Sequence, residues 1–349
     1  MSFTVTVADL DQSAPAEPGD TVLSALLNHG IGFAYSCQAG NCGTCKCELI
    51  SGDILELEYS EHALSSAERL RNIVLACRAQ VWSDVVVRRL DAEDFVVHPS
   101  RVLRCRVKEI VPATHDVLRL RLEILAGGPF TFSAGQFARL EFAVARGNER
   151  DYSMASMPGD EILEFHIRVM PQGVVSKRVA QQLRPGDEVR VCGPLGTAYL
   201  RAQHPGPILA VAGGTGLAPI RSILAAALAG GATQPVLLYF GVRAERDVYC
   251  EDELAQWQAR HPNFKAHVVL SEPDGSAAGG PLARRTGLVT DALADDFADL
   301  AGFSVYVAGP PPMVDAVLAL AQARGARLRD VHADAFYPAA AEPKLRGVA

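Results

Sequence analysis

Four cysteines near the N-terminus have a spacing that suits metal ligation. Three of them lie in one short run and the fourth follows later in the chain: Cys37, Cys42, Cys45 and Cys77. The pattern C-x4-C-x2-C with a distant fourth cysteine is the plant-type spacing of a [2Fe-2S] cluster. Three thiolates on a tight loop and one from a later segment can surround two irons, and Gly40 and Gly43 let backbone N–H groups approach the sulfurs. The sequence therefore predicts an iron–sulfur cluster held by these four residues.

Two other interpretations of the cysteines stay open at this point. A structural zinc site also takes four cysteines, although zinc sites usually pair two C-x2–4-C hooks, and buried reduced thiols would need no metal. We expect Cys47, two residues after Cys45, to point from a strand into the domain core rather than to bind metal. Three further cysteines are isolated and expected in the core: Cys105, Cys192 and Cys250.

Length and composition restrict the kind of protein that carries these residues. The chain has 349 residues, 49% hydrophobic and 21% charged, which is typical of a globular protein of two or three domains. A formal net charge of -7 disfavours a nucleic-acid partner. The N-terminus lacks signal-peptide character, and the most apolar stretch, residues 207–232, is interrupted by proline, glycines and Arg221. We therefore expect a cytoplasmic protein with no membrane partner.

Hydrophobic periodicity divides the chain into three predicted domains. Residues 1–93 combine strands at 2–7 and 85–90 with a helix at 20–30 that ends on Gly30, an α+β pattern. Residues 101–202 contain strands separated by Gly/Pro turns with little helix, which predicts an antiparallel β-barrel. Residues 205–349 alternate strands and helices, which predicts an α/β doubly wound parallel sheet with ligands at the carboxyl ends of its strands.

The individual elements follow from the same periodicities. The barrel strands are predicted at residues 117–124, 138–142, 163–169 and 188–191. In the third domain, strands are predicted at 208–212, 236–240, 266–270 and 304–308, and helices at 219–229, 252–259 and 312–323.

Six short stretches in the second and third domains carry a family resemblance. They are Arg150-Asp-Tyr-Ser-Met154, Phe165-His-Ile-Arg168, Gly193-Pro-Leu-Gly-Thr-Ala-Tyr-Leu200, Gly213-Gly-Thr-Gly-Leu-Ala-Pro219, Tyr239-Phe-Gly-Val-Arg243 and His332-Ala-Asp-Ala-Phe-Tyr337. They resemble the ferredoxin–NADP reductase family. The full order of ferredoxin, flavin barrel and nicotinamide domain resembles the reductase components of Rieske-type aromatic-ring-hydroxylating dioxygenases, such as that of naphthalene dioxygenase.

This resemblance implies a flavin site around the first stretches. Arg150 would offset pyrophosphate charge, the Tyr152 ring would pack on the flavin, and the Ser153 hydroxyl would act catalytically near flavin N5. The match of Gly173-Val-Val-Ser176 to G-x-x-S implies a pyrophosphate held at a helix start. By resemblance, the further cofactor-binding residues are His166, Arg168, Gly173, Val175, Ser176, Phe336 and Tyr337. Phe336 or Tyr337 would cover the flavin, and Phe336 is expected to be catalytic. Without the resemblance, Arg150 is equally typical of a solvated strand end, and Tyr152, His166, Arg168 and the C-terminal aromatics of structural residues.

The third domain carries the features of a nucleotide site. Gly213-Gly-Thr-Gly216 follows a predicted strand and opens a helix, so its backbone can receive a dinucleotide phosphate. By resemblance, Arg243 lies near the adenosine ribose, and Gly309-Pro-Pro-Pro-Met313 matches the turn beside the nicotinamide. The predicted nucleotide-binding residues are Gly213, Gly214, Thr215, Gly216, Arg243, Gly309, Pro310 and Met313.

Two features bear on the coenzyme chemistry. Many relatives carry cysteine before the G-P turn where this chain has Ala308; hydride transfer depends on positioning more than on a thiol, so we expect activity to survive. Glu245 and Asp247 could accept from ribose hydroxyls and repel a 2′-phosphate, whereas Arg243 and Arg246 could bind one. We expect NADH as the coenzyme, with NADPH the alternative. FAD is expected rather than FMN, because FMN-binding relatives have the opposite domain order.

The three parts together suit a change from two-electron to one-electron chemistry. A nicotinamide gives up two electrons as hydride, a [2Fe-2S] cluster accepts one at a time, and a flavin can do both. We therefore expect an oxidoreductase that passes electrons from NADH through FAD to the cluster. The chain lacks a Rieske Cys/His pair, so by resemblance a Rieske oxygenase or its small ferredoxin is the partner and acts on an aromatic compound. The alternatives are a reductase for a cytochrome P450 or di-iron monooxygenase and, remotely, a non-catalytic redox carrier or sensor.

Overall fold

The first part of the chain forms a small mixed sheet with one main helix. The computed structural model describes residues 2–35, 38, 40, 43–61, 63–90, 96, 98–273 and 280–337. The elements here are β1 (Phe3–Val7), β2 (Gln12–Ala16), α1 (Val22–Asn28), β3 (Lys46–Ser51), β4 (Ile54–Glu56), α2 (Ser66–Arg69), β5 (Ile73–Leu75), β6 (Ala79–Val81) and β7 (Val85–Arg89). The sheet order is β2-β1-β7-β3-β5, with β1 and β7 parallel. The α+β prediction is confirmed, and Gly30, at φ +72°, follows the end of α1.

The second part is an antiparallel sheet that curls almost into a closed barrel. Its elements are β8 (Arg101–Pro112), β9 (Val117–Ala126), β10 (Phe137–Phe142), β11 (Arg150–Ser153), β12 (Ile162–Arg168), α3 (Val174–Gln182) and β13 (Glu188–Leu195). The strand order is β11-β10-β13-β8-β9-β12, and a bridge from Met154 to Phe165 brings the two edges together. Leu120, Phe142 and Phe165 have no exposed surface and fill the interior. The predicted barrel is confirmed.

The third part is a six-stranded parallel sheet with helices between its strands. Its elements are β14 (Ile208–Gly213), α4 (Leu217–Ala229), β15 (Val236–Val242), α5 (Glu251–Arg260), β16 (Phe264–Leu270), β17 (Ala283–Thr286), α6 (Val289–Asp296), β18 (Ser304–Gly309), α7 (Pro311–Ala323) and β19 (Val331–Ala335). The order is β17-β16-β15-β14-β18-β19. The strand order reverses between β14 and β18: the chain first adds β15, β16 and β17 on one side of β14 and then β18 and β19 on the other. Doubly wound folds bind ligands at this switch point.

The predicted elements are all present, and the differences are local. In the third domain the structure adds β17, α6 and β19, which periodicity alone did not identify; in the first two it adds further short elements such as β4 and α2, and α3 interrupts the barrel strands. Cys105 is buried as expected, whereas Cys192 and Cys250 are only half-buried, because Cys192 points outward on β13 and Cys250 stands at the start of α5. The predicted domain boundaries stay predictions. In the parts of the chain described above, no helix has the length and apolar character needed to cross a membrane.

A buried polar network joins the barrel to the parallel-sheet domain. His166, whose side chain has no exposed surface, places Nε2 3.2 Å from Glu164 Oε1 and Nδ1 3.0 Å from the Tyr249 hydroxyl. Burial raises the pKa of Glu164, but hydrogen bonds from His166 and Arg119 outweigh it and bring the pKa to about 2. Burial lowers the pKa of His166. The neutral imidazole therefore donates from Nε2 to the carboxylate, and its Nδ1 accepts from Tyr249.

Helix α4 makes a second set of contacts across the same interface. Arg221 Nη1 donates to the Ala155 carbonyl at 2.5 Å, and its Nε and Nη2 pair with the Glu253 carboxylate. Ser222 has no exposed surface, and its Oγ donates to the Ser156 carbonyl at 2.6 Å. Because buried polar groups are costly when left unpaired, these contacts favour one relative position of the two domains.

We expect Glu164→Gln to destabilise the protein at pH 7 by up to about 3 kcal/mol, because the variant loses the charge that Arg119 and His166 stabilise. The folded-state pKa lies below the unfolded one, so this stability is present above about pH 4.5 and is lost as the pH falls towards 2. The difference in Tm between wild type and variant, followed by intrinsic fluorescence, should shrink from pH 7 to about pH 3. The exposed Glu123→Gln is the matched control; equal Tm losses for both variants would contradict the assignment.

Candidate functional site

Two of the four predicted cluster ligands are described, and they lie on neighbouring segments. Cys45 directly precedes β3 and Cys77 follows β5, and both are buried. The Ala76 N–H donates to the Cys45 carbonyl at 3.0 Å and ties the two segments together. The other two predicted ligands, Cys37 and Cys42, lie outside the described residues. The described half of the cysteine set therefore has the proximity that a shared cluster requires.

Two glycines hold the predicted cluster loop close to its surroundings. Gly40 and Gly43 have φ values of +75° and +73°, in the left-handed region. A Cβ at Gly40 would lie 2.8 Å from the Tyr59 Cβ, and one at Gly43 would lie 2.9 Å from the Ala63 carbonyl oxygen. Only glycine combines this conformation with this packing, and a loop of this kind fits a cluster whose sulfurs receive backbone N–H groups.

The predicted flavin motif forms strand β11. Tyr152 packs edge-to-face on Phe142 with ring centroids 6.0 Å apart, and burial raises the pKa of its phenol to about 12. Arg150 Nη1 donates to the neighbouring Glu149 carbonyl, and among the described residues Arg150 forms no ion pair. Its guanidinium thus keeps donors for an anionic group, which fits the predicted pyrophosphate contact.

The motif serine contacts the last strand of the parallel sheet. Ser153 Oγ lies 3.1 Å from Asp334 Oδ2, and both residues are buried. Two residues beyond Asp334, the Phe336 N–H donates to the Gly309 carbonyl at 2.9 Å. The structure therefore brings the predicted flavin serine, the predicted covering aromatic and the predicted nicotinamide turn together at the domain interface. Tyr337 packs on the neighbouring core of the third domain.

The G-x-x-S segment begins helix α3 as expected. A Cβ at Gly173 would lie 2.4 Å from Ser176 Oγ, so the turn requires glycine. The buried Ser176 hydroxyl accepts from the Met170 N–H at 3.1 Å, and Val175 is buried in the barrel core. In this structure the serine side chain stabilises the turn itself.

The two glycine turns of the third domain lie against each other at the switch point. A Cβ at Gly216 would lie 2.0 Å from the Ala308 carbonyl oxygen, and one at Gly213 would lie 2.6 Å from Met313 Sδ. Gly309 has φ +142°, and Pro310 stands directly before α7. These contacts leave no room for side chains. By contrast, a Cβ at Gly214 would meet only Arg168 Nη1, at 3.7 Å, so this face of the turn is open to a nucleotide phosphate.

Strand β12 places its two predicted cofactor residues differently. Arg168 lies beside Gly214 and donates to Asp116 Oδ2 at 2.8 Å, so it brings positive charge to the nucleotide turn. The fully buried His166 side chain contacts Glu164 and Tyr249 at the domain interface, and its predicted cofactor contact stays a prediction. Tyr249, its partner, also lies 3.4 Å from the Gly214 carbonyl and links that interface to the turn.

The two carboxylates expected to select between NADH and NADPH differ in their hydrogen-bond and ion-pair partners. Glu245 is held by Arg284, with Oε1 2.5 Å from Nη2, and is therefore already engaged. Asp247 Oδ2 accepts from the Ala244 N–H and lies 3.9 Å from Arg243 Nε, whose side chain is 52% exposed. The one carboxylate beside the predicted ribose-binding arginine is thus Asp247, among the described residues.

Sequence reasoning did not identify Asp334, Tyr249 or Glu164 as site residues. Asp334 lies in the quoted stretch His332–Tyr337, but its partner Ser153 is in the barrel, and the local sequence of β19, Val-His-Ala-Asp-Ala, does not mark it. Tyr249 contacts His166 across the domain interface, and no local pattern marks such a contact; Glu164 contacts the same histidine from two residues earlier on β12.

Comparison with known proteins matches each part of the chain to a domain family. Residues 5–81 match the 2Fe-2S iron-sulfur cluster binding domain, residues 104–199 the oxidoreductase FAD-binding domain, and residues 210–319 the oxidoreductase NAD-binding domain. The chain is 40% identical over 326 residues to the ferredoxin–NAD(P)⁺ reductase component of a naphthalene 1,2-dioxygenase system from Pseudomonas putida, covering 93% of this chain and 95% of that protein. The chain belongs to this reductase family. It is accordingly an oxidoreductase whose cofactors are a [2Fe-2S] cluster, FAD and NAD(P)H.

Other members of the family are similar over almost their whole length. The reductase component of the naphthalene 1,2-dioxygenase/salicylate 5-hydroxylase systems of a Ralstonia species is 42% identical, covering 95% of this chain and 98% of that protein. Among solved structures, a cytochrome P450 reductase from Amycolatopsis has a TM-score of 0.80 and 35% identity, covering 96% of this chain and 99% of that one. The ferredoxin reductase of a carbazole 1,9a-dioxygenase has a TM-score of 0.71 and 27% identity, covering 97% and 99%. The predicted family and fold are confirmed.

The cysteine assignment can be tested by paired substitutions. Cys77→Ala should abolish the visible absorption and the reduced-state EPR signal of the [2Fe-2S] cluster, because the reductase would lose one of four ligands. Cys47→Ala, which changes a fully buried thiol on β3, should retain both signals. Zinc rather than iron in the purified wild type, or loss of the signals in Cys47→Ala, would contradict the assignment.

Proposed function

We propose that this reductase takes electrons from NADH and delivers them to a Rieske non-haem iron oxygenase, or to its small ferredoxin, for the oxidation of an aromatic compound. The bound flavin supplies the chemistry that accepts a hydride and releases electrons singly. The contact between Ser153 and Asp334 carries the proposal for the reductase half, since it joins the flavin motif to the nicotinamide domain. The dioxygenase systems named for the 40% and 42% identical relatives support the partner.

The chain's own residues position the reactants and exclude water. Hydride transfer requires the donor and acceptor atoms to approach within about 3–3.5 Å in an aligned geometry. The Gly213–Gly216 and Gly309–Met313 turns would hold the nucleotide, and the Phe336 N–H donates to the Gly309 carbonyl, which places this aromatic residue beside the second turn. The buried Ser153 hydroxyl and Asp334 carboxylate offer a proton donor and acceptor at the predicted N5 position. Ala308 offers no thiol there, so the reaction depends on this alignment alone.

The choice of NADH follows from the charge near Arg243. Asp247 is the carboxylate beside it, with Oδ2 3.9 Å from Arg243 Nε and Oδ1 3.6 Å from His115 Nδ1, and its negative charge would oppose a 2′-phosphate at short range. We expect Asp247→Asn to raise kcat/KM for NADPH about tenfold while leaving NADH little changed, because it removes one like-charge repulsion. Steady-state reduction of an artificial acceptor measures both values. The exposed Asp252→Asn on α5 is the matched control, and an unchanged NADPH value in Asp247→Asn would reject this role.

The partner is tested by reconstituted turnover. The purified reductase, NADH and an aromatic substrate should support product formation with a Rieske oxygenase component, added with or without its ferredoxin. A cytochrome P450 is the second candidate, because the P450 reductase from Amycolatopsis has the same arrangement at a TM-score of 0.80. A di-iron hydroxylase is the third arm, since a phenol 2-monooxygenase reductase component is 33% identical. Turnover with either of these and none with the Rieske oxygenase would overturn the proposed partner.

A further inference from the structure

The segment that leads into the predicted cluster loop is bonded to the flavin barrel. Tyr35 stands two residues before Cys37, and its N–H donates to Thr197 Oγ1 at 3.1 Å. Thr197 Oγ1 in turn donates to the Tyr35 carbonyl at 2.9 Å, and the Thr197 N–H donates to the same carbonyl at 3.2 Å. Both residues are buried. A single threonine therefore satisfies both backbone groups of Tyr35.

The barrel side of this contact is itself rigid. Gly196, at φ +87°, lies under the Phe137 ring, where a Cβ would be 2.7 Å from the ring. The buried Gln136 side chain donates from Nε2 to the Gly196 carbonyl at 2.9 Å. Leu195 packs into the core of the first domain. Thr197 is thus presented to Tyr35 by a turn with little freedom of its own.

The turn that presents Thr197 is separated from the predicted flavin serine, Ser153, by the single strand β10. On β10, Phe137 is paired with Leu195 of β13 on one side and with Ser153 of β11 on the other. Neighbouring strands lie about 4.8 Å apart, so the backbones at Leu195 and Ser153 are separated by about 10 Å. A short path through the barrel wall therefore connects the flavin motif with the residue that binds the cluster segment.

The segment between the first two domains is also held on the barrel. The Val96 N–H donates to the Tyr199 hydroxyl at 2.7 Å, and His98 Nε2 lies 2.9 Å from Ser133 Oγ. The Arg201 guanidinium stacks 3.8 Å above the Tyr199 ring. These contacts lie close in sequence to Thr197 and favour the same docked arrangement of the first domain.

We propose that Thr197 is a positioning residue for the exit of electrons: it docks the cluster-binding domain on the flavin barrel so that transfer between the two cofactors occurs within a fixed arrangement. The inference rests on the proposed function and assigns to it a residue that controls electron transfer from the flavin to the cluster. The step moves one electron from the reduced flavin to the oxidised cluster, the electron having come from the hydride of NADH. No atom is transferred and no bond is broken.

The test compares Thr197→Val with Thr197→Ser in the holoprotein. Valine keeps the shape but loses both hydroxyl bonds to Tyr35, whereas serine keeps them. After anaerobic stopped-flow mixing with NADH, bleaching of the flavin should proceed at the wild-type rate in both variants. The following reduction of the cluster should slow about tenfold in Thr197→Val, in keeping with the loss of two hydrogen bonds, and recover in Thr197→Ser.

Two further readouts separate docking from a general structural effect. Hydrogen exchange of residues 31–35 should increase in Thr197→Val, while the midpoint potentials of the flavin and the cluster should stay unchanged. Thr6→Val, which removes a hydroxyl contact with Ser13 inside the first sheet, is the matched control and should alter neither rate. Cluster reduction at the wild-type rate in Thr197→Val would overturn this inference alone. Failure of NADH to reduce the cluster in the wild type would instead overturn the proposed function.

Discussion

Hydride transfer between two bound molecules requires contact, and this chain binds them on different domains. The hydrogen bond between Ser153 and Asp334 is the interaction on which the rest depends, because it fixes the flavin strand β11 against the last strand of the parallel sheet. The glycine turns, the aromatic residue beside Gly309 and the buried network around His166 all serve that one alignment. If the two domains were free to separate, each site would still bind its ligand, but the reacting atoms would not meet.

The domain cores and the domain interfaces are stabilised by different kinds of interaction. Each domain has an apolar core of its own, filled by residues such as Leu26, Phe142 and Phe240. At the interface between the barrel and the parallel-sheet domain, buried polar groups add specific bonds from His166 to Tyr249, from Arg221 to the Ala155 carbonyl and from Ser222 to the Ser156 carbonyl. Apolar contact would hold the domains together in several positions, whereas directional bonds between buried groups favour one. An enzyme that relays electrons between cofactors needs that single arrangement.

The sequence predicts the fold of each domain well, but it does not predict the contacts between domains. Cysteine spacing, alternation of apolar residues and the turn at Gly213 are local signals, and the three folds and most motif residues follow from them. Asp334, Tyr249 and Thr197 have no such signal, since their partners lie in other domains at distances along the chain that no periodicity records. For the same reason the sequence does not show that the buried His166 ring bonds to Glu164 and Tyr249. It likewise does not show that Glu245, a candidate for the ribose contact, is paired with Arg284.

Electrons are expected to pass from NADH to the flavin and only then to the cluster. The direct test of this order is to mix the oxidised wild-type holoprotein with NADH under anaerobic conditions, follow flavin and cluster absorbance, and freeze samples for EPR during the reaction. We expect the flavin to bleach first and the reduced [2Fe-2S] signal then to grow at its expense. Reduction of the cluster before the flavin, or a flavin that bleaches while the cluster stays oxidised, would contradict this order of transfer.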